Sequence, residues 1–266
     1  KKDRIYLSGY FGKDYLGLGN TFGIDYGNPT ATLRWNHILS SRLFSNTSLI
    51  YSKYDYNIRI NSGNNDIGIT SYIRDYHLKE DLQYYANADN KINFGIDVIS
   101  HTTSPGVISA SQNSSYNAIT VQNRHALESA AYFSHDLALS DKVNLNYGLR
   151  AGLFTIMGPG DFYTYDSSGN TISTQNYSAS GVVKNYFNLE PRFSVSYKLT
   201  DVSSVKLAYT RTTKNLHLLS NSTSSNPTDA WIPSSNNVKP EIADQVSMGY
   251  YRNFTNNQYE FSSEIY

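Results

Sequence analysis

The histidines are the side chains of this sequence best suited to chemistry, but their spacing supports neither a catalytic site nor a metal site. The chain has six histidines and no cysteine, and no pair of histidines has the spacing of a known metal motif. Ser134, His135 and Asp136 have the residue types of a catalytic triad. In a strand, successive side chains point to opposite faces, so His135 cannot meet the other two. We therefore predict a protein that is not an enzyme, with no catalytic residue, no metal ligand and no cofactor. A hydrolase that uses a Ser and a His from neighbouring strands is the alternative, and no motif supports it.

One polar segment has some of the character of a calcium loop. It reads Asp166-Ser167-Ser168-Gly169-Asn170. The alternating acidic pattern and the distal glutamate of such a loop are missing. The segment is therefore interpreted as a plain turn.

Aromatic side chains in polar loops are the candidates for ligand contact. Phe162, Tyr163 and Tyr165 lie in a segment rich in Ser, Asn and Gly, and Trp231 lies in another. A flat ring can stack on a sugar or on another solute, and apolar rings are costly to leave in water. The alternative, in which these rings pack loop against loop, stays open at this point.

The elements that must position these residues are long amphipathic strands. Between Val143 and Leu153 every second residue is apolar, and the same alternation returns from Phe187 to Leu199. Each strand then has one apolar face and one polar face. Runs of this length predict a transmembrane β-barrel with lipid outside and a wet lumen inside. The residues expected to face lipid are Leu145, Leu149, Leu153, Phe193 and Val195, and those expected to face the lumen are Asn146, Arg150, Glu190, Arg192 and Ser194.

Turn signals divide the chain into hairpins. Asp, Asn and Ser mark short turns near residues 40, 89, 141, 201 and 256. Between them lie mostly longer connections, at 12–29, 61–66, 102–122, 158–184 and 215–242. Eleven strands are predicted, approximately at 3–11, 30–39, 44–60, 67–87, 91–101, 123–139, 142–157, 185–199, 204–214, 242–253 and 258–266. An odd count with an unpaired last strand is unexpected for a closed barrel, so we expect further strands outside this sequence.

Composition removes several other classes of protein. The formal net charge is zero, which gives no basic footprint for a nucleic acid. No stretch approaches the 18 apolar residues of a membrane helix. The 24 tyrosines suit a membrane–water boundary, because the ring is apolar and the hydroxyl is polar. A tyrosine-rich secreted β-sandwich is the alternative explanation of that composition.

One region resembles a known family. Its motifs follow in order: Leu189-Glu190-Pro191-Arg192, then Tyr209-Thr210-Arg211, then Asp229-Ala230-Trp231-Ile232-Pro233, then Ala243-Asp244-Gln245. This order is similar to the barrel of TonB-dependent receptors, especially the Bacteroidetes type, and it is specific over residues 188–251. Pro191 removes a donor from its strand, so a local irregularity is expected there. Glu190 and Arg192 are interpreted as a structural lumen pair, with direct ligand contact as the alternative.

The resemblance implies a larger molecule and a transport function. Residues 1–266 would be part of one outer-membrane barrel domain, about half of a barrel of roughly 22 strands. The implied protein imports a solute across the bacterial outer membrane, with energy from a TonB-type inner-membrane coupler acting through a plug domain. Outer-membrane lipid, the solute and a surface lipoprotein are the implied partners. A passive porin and a surface adhesion or structural β-protein are the alternatives, and the solute is not identified.

Overall fold

The computed structural model describes residues 2–62, 66–110, 118–219 and 229–266. In these residues the chain is all-β. No helix of the described residues is long and apolar enough to cross a membrane. The strands are β1 (Asp3–Tyr10), β2 (Lys13–Leu18), β3 (Phe22–Gly27), β4 (Thr30–Ile38), β5 (Leu43–Ile60), β6 (Ile67–Asn87), β7 (Asn90–Ala110), β8 (Ile119–Thr120), β9 (Arg124–Ser140), β10 (Val143–Met157), β11 (Gly160–Tyr165), β12 (Thr171–Tyr177), β13 (Val182–Thr200), β14 (Ser203–Lys214), β15 (Leu216–Leu219), β16 (Ala230–Pro233), β17 (Glu241–Phe254) and β18 (Tyr259–Ile265).

One antiparallel sheet forms the main body of the described chain. Its order is β1-β4-β5-β6-β7-β9-β10-β13-β14-β17-β18, so neighbouring strands follow one another up and down. These are the eleven predicted strands, and the prediction of an all-β, up-and-down architecture is confirmed. The sheet is open in the described residues, with β1 and β18 at its edges. β7 is longer than predicted and continues to Ala110.

Three further hairpins lie inside segments that the sequence analysis treats as loops. β2 pairs with β3, and β3 also pairs with β5, so this hairpin extends the wall beside β4. β11 pairs with β12 and β15 pairs with β16 as separate two-stranded sheets. Their strands have four to seven residues, which is too short for a period-two pattern to stand out from polar loop sequence.

The two faces of the main sheet differ as the alternation predicts. We call the side that carries Leu149 the apolar face and the side that carries Arg150 the polar face. Leu149 is directly opposite Phe133 in β9 and Pro191 in β13, and it is 45% exposed. The strand pairing also places Leu145, Leu153, Phe193 and Val195 on the apolar face, and Asn146, Glu190, Arg192 and Ser194 on the polar face.

The small apolar core lies on the polar face, at the end of the sheet away from the short turns. It consists of Ala126, Phe154, Ile156 and Phe162, with Tyr177, Val183 and Tyr186 packed against it. Phe154 and Ile156 share a face with Arg150, so the simple alternation breaks here. The reason is that the β11–β12 hairpin leans over this end of the sheet and removes these side chains from water, which stabilises the fold by burial.

Candidate functional site

Arg150 is the centre of a charged cluster on the polar face. Its Nη1 lies 3.0 Å from Asp97 Oδ2, its Nη2 lies 3.5 Å from Glu128 Oε1, and its Nε lies 3.6 Å from Glu190 Oε2. A guanidinium presents its donors in a rigid plane, so three carboxylates from three neighbouring strands can share it. The cluster joins β7, β9, β10 and β13. Its three carboxylates carry more negative charge than the single positive charge of Arg150 neutralises.

The predicted ion pair of Glu190 with Arg192 does not form among the described contacts, and Arg150 takes its place. Residues two apart on a strand share a face but lie well separated along it, whereas Glu190 is directly opposite Arg150 in register. Glu190 Oε1 also accepts a hydrogen bond of 2.9 Å from the backbone N–H of Thr213. The pairing of β13 with β14 stops at Arg192, which is the irregularity expected beside Pro191.

Arg192 lines a cavity of about 240 Å³ on the polar face. Lys79, Asp81, Asp97 and Tyr132 also line this cavity. Tyr132 donates a hydrogen bond to the carboxylate of Asp81. A second cavity, of about 360 Å³, lies nearer the short turns and is lined by Lys91, Asp136, Asn146 and Lys206, among others.

The three aromatic ligand candidates on β11 point to two different sides of the β11–β12 hairpin. Phe162 is 5% exposed and lies in the apolar core, with the Arg124 guanidinium 4.3 Å above its ring. The assignment of Phe162 to ligand contact is therefore corrected, because a ring packed on all sides offers no surface. Tyr163 and Tyr165 project from the other side of β11 with ring centroids 6.4 Å apart, and both are exposed.

The β15–β16 hairpin lies across the polar face. β16 lies against β6, β7 and β9, and Trp231 on β16 is partly buried. The base of the hairpin is held by Asn215, whose Nδ2 donates to Glu128 Oε2 at 3.1 Å and whose Oδ1 accepts from Asn188 Nδ2 at 3.0 Å. His217 is buried between Ser234 Oγ at 2.9 Å and Glu241 Oε1 at 3.1 Å. The ring contacts of the described residues do not join Trp231 to Tyr163 or Tyr165.

Two of the sequence motifs meet across β14 and β17, which the sequence analysis missed. Asp244 accepts hydrogen bonds from Arg211 Nε at 2.7 Å, Arg211 Nη2 at 2.8 Å and Tyr209 Oη at 2.8 Å. Arg211 and Asp244 are directly opposite in register. The Tyr209-Thr210-Arg211 motif and the Ala243-Asp244-Gln245 motif thus supply the two sides of one bidentate ion pair, on the apolar face.

The Ser134-His135-Asp136 segment is divided between the two faces of β9. His135 lies beside Tyr147 Oη and Asn90 Oδ1, whereas Ser134 and Asp136 both accept from Asn93 on the polar face. Among the described residues, no group of three His, Cys, Asp or Glu side chains could hold a metal ion. Asp166 closes a turn by accepting from the backbone N–H groups of Ser168 and Asn170 at 2.9 and 2.8 Å.

Comparison with known proteins gives one family and a set of similar folds. The model of the "TonB dependent receptor-like, beta-barrel" family matches residues 3–266. No match was found among curated protein sequences.

Three solved structures illustrate the similarity of fold. They are the siderophore receptor PiuA from Acinetobacter baumannii (12% identity, 99% of this chain and 47% of that chain, TM-score 0.62), the ferric yersiniabactin uptake receptor FyuA from Yersinia pestis (13%, 88% and 34%, TM-score 0.60) and the copper transporter OprC (12%, 96% and 41%, TM-score 0.64). The chain therefore spans less than half the length of each of these proteins.

Proposed function

The chain belongs to the TonB-dependent receptor β-barrel family, and from that premise we propose that it forms part of the wall and loops of a receptor that imports a solute. Barrels of this family lie in the outer membrane of Gram-negative bacteria. The energy would come from a TonB-type inner-membrane coupler acting through a plug domain packed against the polar face. The observation that carries the proposal is the family match over residues 3–266.

The arrangement of the hairpins supports uptake through a closed receptor rather than through an open porin. β16 lies across the polar face against β6, β7 and β9, and the β11–β12 hairpin is fixed to the same face by Phe162. Both hairpins reduce the free lumen on the side of the longer loops. A passive pore would favour an unobstructed polar face.

The solute is a separate question from the transport mechanism. The similar structures are named as a siderophore receptor, a ferric yersiniabactin uptake receptor and a copper transporter, and their low identity supports only a common fold. We propose that Tyr163, Tyr165 and Trp231 capture the solute on the loop side, because their flat rings can stack on it. A surface lipoprotein that covers these loops would be compatible with the same site.

Energy dependence tests the proposed function. Cells carrying the complete gene product would be given a panel of ferric siderophores, haem and copper, with and without a protonophore. Uptake that requires this protein and stops when the proton gradient collapses is the expected result. The purified protein should also show little conductance in planar bilayers. Uptake that persists without the gradient, together with large conductance, would support the porin alternative instead.

Loop variants test the capture role. Tyr163→Ala and Trp231→Ala should weaken uptake of the transported panel member severalfold while leaving the heat stability of the barrel unchanged, because neither residue lies in the main sheet. Ile172→Ala is the matched control, since Ile172 is an exposed apolar residue on the same hairpin as Tyr163. Equal uptake in all three variants would mean that the rings pack loop against loop and do not capture the solute.

A further inference from the structure

Among the described residues, two buried polar atoms on the polar face of β7 have no hydrogen-bond partner. They are His101 Nε2 and Thr103 Oγ1. His101 is 5% exposed and Thr103 is fully buried. A buried polar group without a partner is unfavourable, because it has lost its hydrogen bonds to water and gained none in the protein. Two such atoms, two residues apart on one face, indicate a place where a partner arrives from outside the described chain.

The hydrogen bonds of His101 define what that partner must offer. Its Nδ1 lies 2.8 Å from Asp75 Oδ1. When the ring is neutral and Nδ1 donates to that carboxylate, the lone pair of the ring is on Nε2. Thr103 Oγ1 can both accept and donate. The two atoms therefore suit a hydroxyl or amino group that donates to Nε2 and exchanges a hydrogen bond with Oγ1.

The elements around these atoms keep them from solvent. In register, His101 is opposite Ala126 and Thr103 is opposite Arg124, and the His101 ring centroid is 6.4 Å from that of Phe154. β16 lies against β7 on the polar face. The base of the β15–β16 hairpin is held by the hydrogen bonds of Asn215 and His217, which water can replace at a small net cost.

We propose that His101 and Thr103 form an inner-wall subsite for a hydroxyl-bearing part of the solute, reached when the β15–β16 hairpin moves away from β7. The subsite rests on the proposed function, since the solute would arrive from the loop side during uptake. It adds a hydrogen-bonding step below the exposed rings of Tyr163 and Tyr165. The carboxylate of Asp75 orients the His101 ring as an acceptor for that step.

Diethyl pyrocarbonate, which acylates an unprotonated imidazole nitrogen, tests whether the subsite opens. The complete purified receptor in detergent would be treated near neutral pH, and each histidine read by mass spectrometry. Asn215→Ala should raise the rate at His101 about tenfold, because two hydrogen bonds of the hairpin base are lost. Asn236→Ala is the matched control, since Asn236 Nδ2 donates to the backbone oxygen of Tyr163 in β11 and not to the base of the β15–β16 hairpin. A His101 that stays unreactive in Asn215→Ala would overturn the proposal.

Sorbitol, a hydroxyl-bearing probe, tests the ligand class against glycine betaine, which has no hydroxyl. In Asn215→Ala, sorbitol at twice its dissociation constant should slow modification of His101 about threefold by mass action. Thr103→Val should remove that protection. Thr102→Val on the opposite face should keep it. Equal rates in sorbitol and betaine mean that water alone fills the site, which also overturns the proposal. Loss of energised uptake with sorbitol protection intact would count against the proposed function and not against this subsite.

Discussion

At the scale of single residues, the position across the strand decides which charges pair. Arg150 meets Asp97, Glu128 and Glu190 on neighbouring strands. Arg192 is two residues from Glu190 in sequence and makes no ion pair with it in the described structure. Cross-strand neighbours have side chains about 5 Å apart, closer than residues two apart along a strand. The Arg150 cluster therefore fixes the register of four strands.

The turn at Asp166 gives a pH dependence with a defined sign. The side chain and backbone N–H of Asn170, with further backbone donors, lower the pKa of Asp166 from 3.8. A lowered folded-state pKa contributes stability that is complete above the unfolded value and is lost as the pH falls through the folded value. The turn should thus be unchanged between pH 7 and pH 5 and should loosen below about 3.8. NMR chemical shifts of the Ser168 and Asn170 backbone N–H groups, which donate to Asp166, measure this when they are followed against pH. Asp166→Asn should flatten the profile, and a profile unchanged in that variant would contradict the assignment.

Gly95 occupies a position where a side chain does not fit. A Cβ at Gly95 would lie 2.5 Å from Tyr132 Oη and closer still to the backbone oxygen of Glu80. Gly95→Ala must displace the sheet or the ring, at a cost of roughly 1–3 kcal/mol. Gly152→Ala is the control, because the nearest atom to its Cβ would be 3.8 Å away. Thermal unfolding in detergent should show a lower transition temperature for Gly95→Ala and an unchanged one for Gly152→Ala. Equal temperatures would mean that Tyr132 yields without cost.

At the scale of elements, each strand of the main sheet separates an apolar face from a polar face. The apolar face of β10, β13 and β14 carries exposed Leu149, Phe193 and Leu207. In an outer-membrane protein this surface lies against lipid, where burial of the side chains needs no second sheet. The hairpins β11–β12 and β15–β16 follow a different rule. They are held by Phe162 and by Asn215, that is, by contacts with the polar face.

An added positive charge should destabilise the protein on the apolar face but not on the polar face. Leu149→Arg places a cation on the lipid side and should cost roughly 2–4 kcal/mol if the residue lies near the middle of the bilayer. Ser194→Arg places the same group on the polar face, beside a cavity of about 360 Å³ that Asp136 also lines. It should fold with near wild-type stability. Urea unfolding in lipid vesicles compares the two variants, and similar losses in both would refute the assignment of faces.

At the scale of the whole molecule, the up-and-down order sorts the connections to two ends. The turns at 88–89, 141–142, 201–202 and 255–258 join successive strands at one end, and the hairpins β11–β12 and β15–β16 lie at the other. β6 and β7 have 21 residues each. At about 3.3 Å per residue such a strand is longer than the hydrocarbon core, even when tilted. The wall therefore continues beyond the membrane.

This sorting predicts the result of proteolysis on intact cells. Protease added outside should cleave the exposed turn at 166–170 and spare Asp141 and Lys142, because short turns face the periplasm in outer-membrane barrels. Mass spectrometry of the fragments gives the cleavage sites. Permeabilised cells serve as the control for intrinsic susceptibility at 141–142. Cleavage at Asp141 in intact cells, with 166–170 protected, would invert the orientation.

The sequence by itself determined the eleven main strands, their faces and the family. Each depends on a signal carried within a few neighbouring residues: the period-two alternation, the turn residues and motifs such as Leu189-Glu190-Pro191-Arg192. The motif spacing also placed Tyr209 and Asp244 on consecutive main strands. It did not indicate that they would bond, because that requires the register between β14 and β17.

Only the tertiary structure decided the partners of Glu190, the burial of Phe162 and the cover over His101. Phe162 and Tyr163 are adjacent aromatic residues in the same polar segment, and the neighbouring residues do not indicate which of the two side chains is buried. Phe162 is buried because the β11–β12 hairpin folds against β9 and β10. These two strands belong to the main sheet, whereas the hairpin is a separate two-stranded sheet. Such contacts depend on strand register and on how the hairpins lean. Those are properties of the assembled sheet, and a one-dimensional pattern does not encode them in any short window.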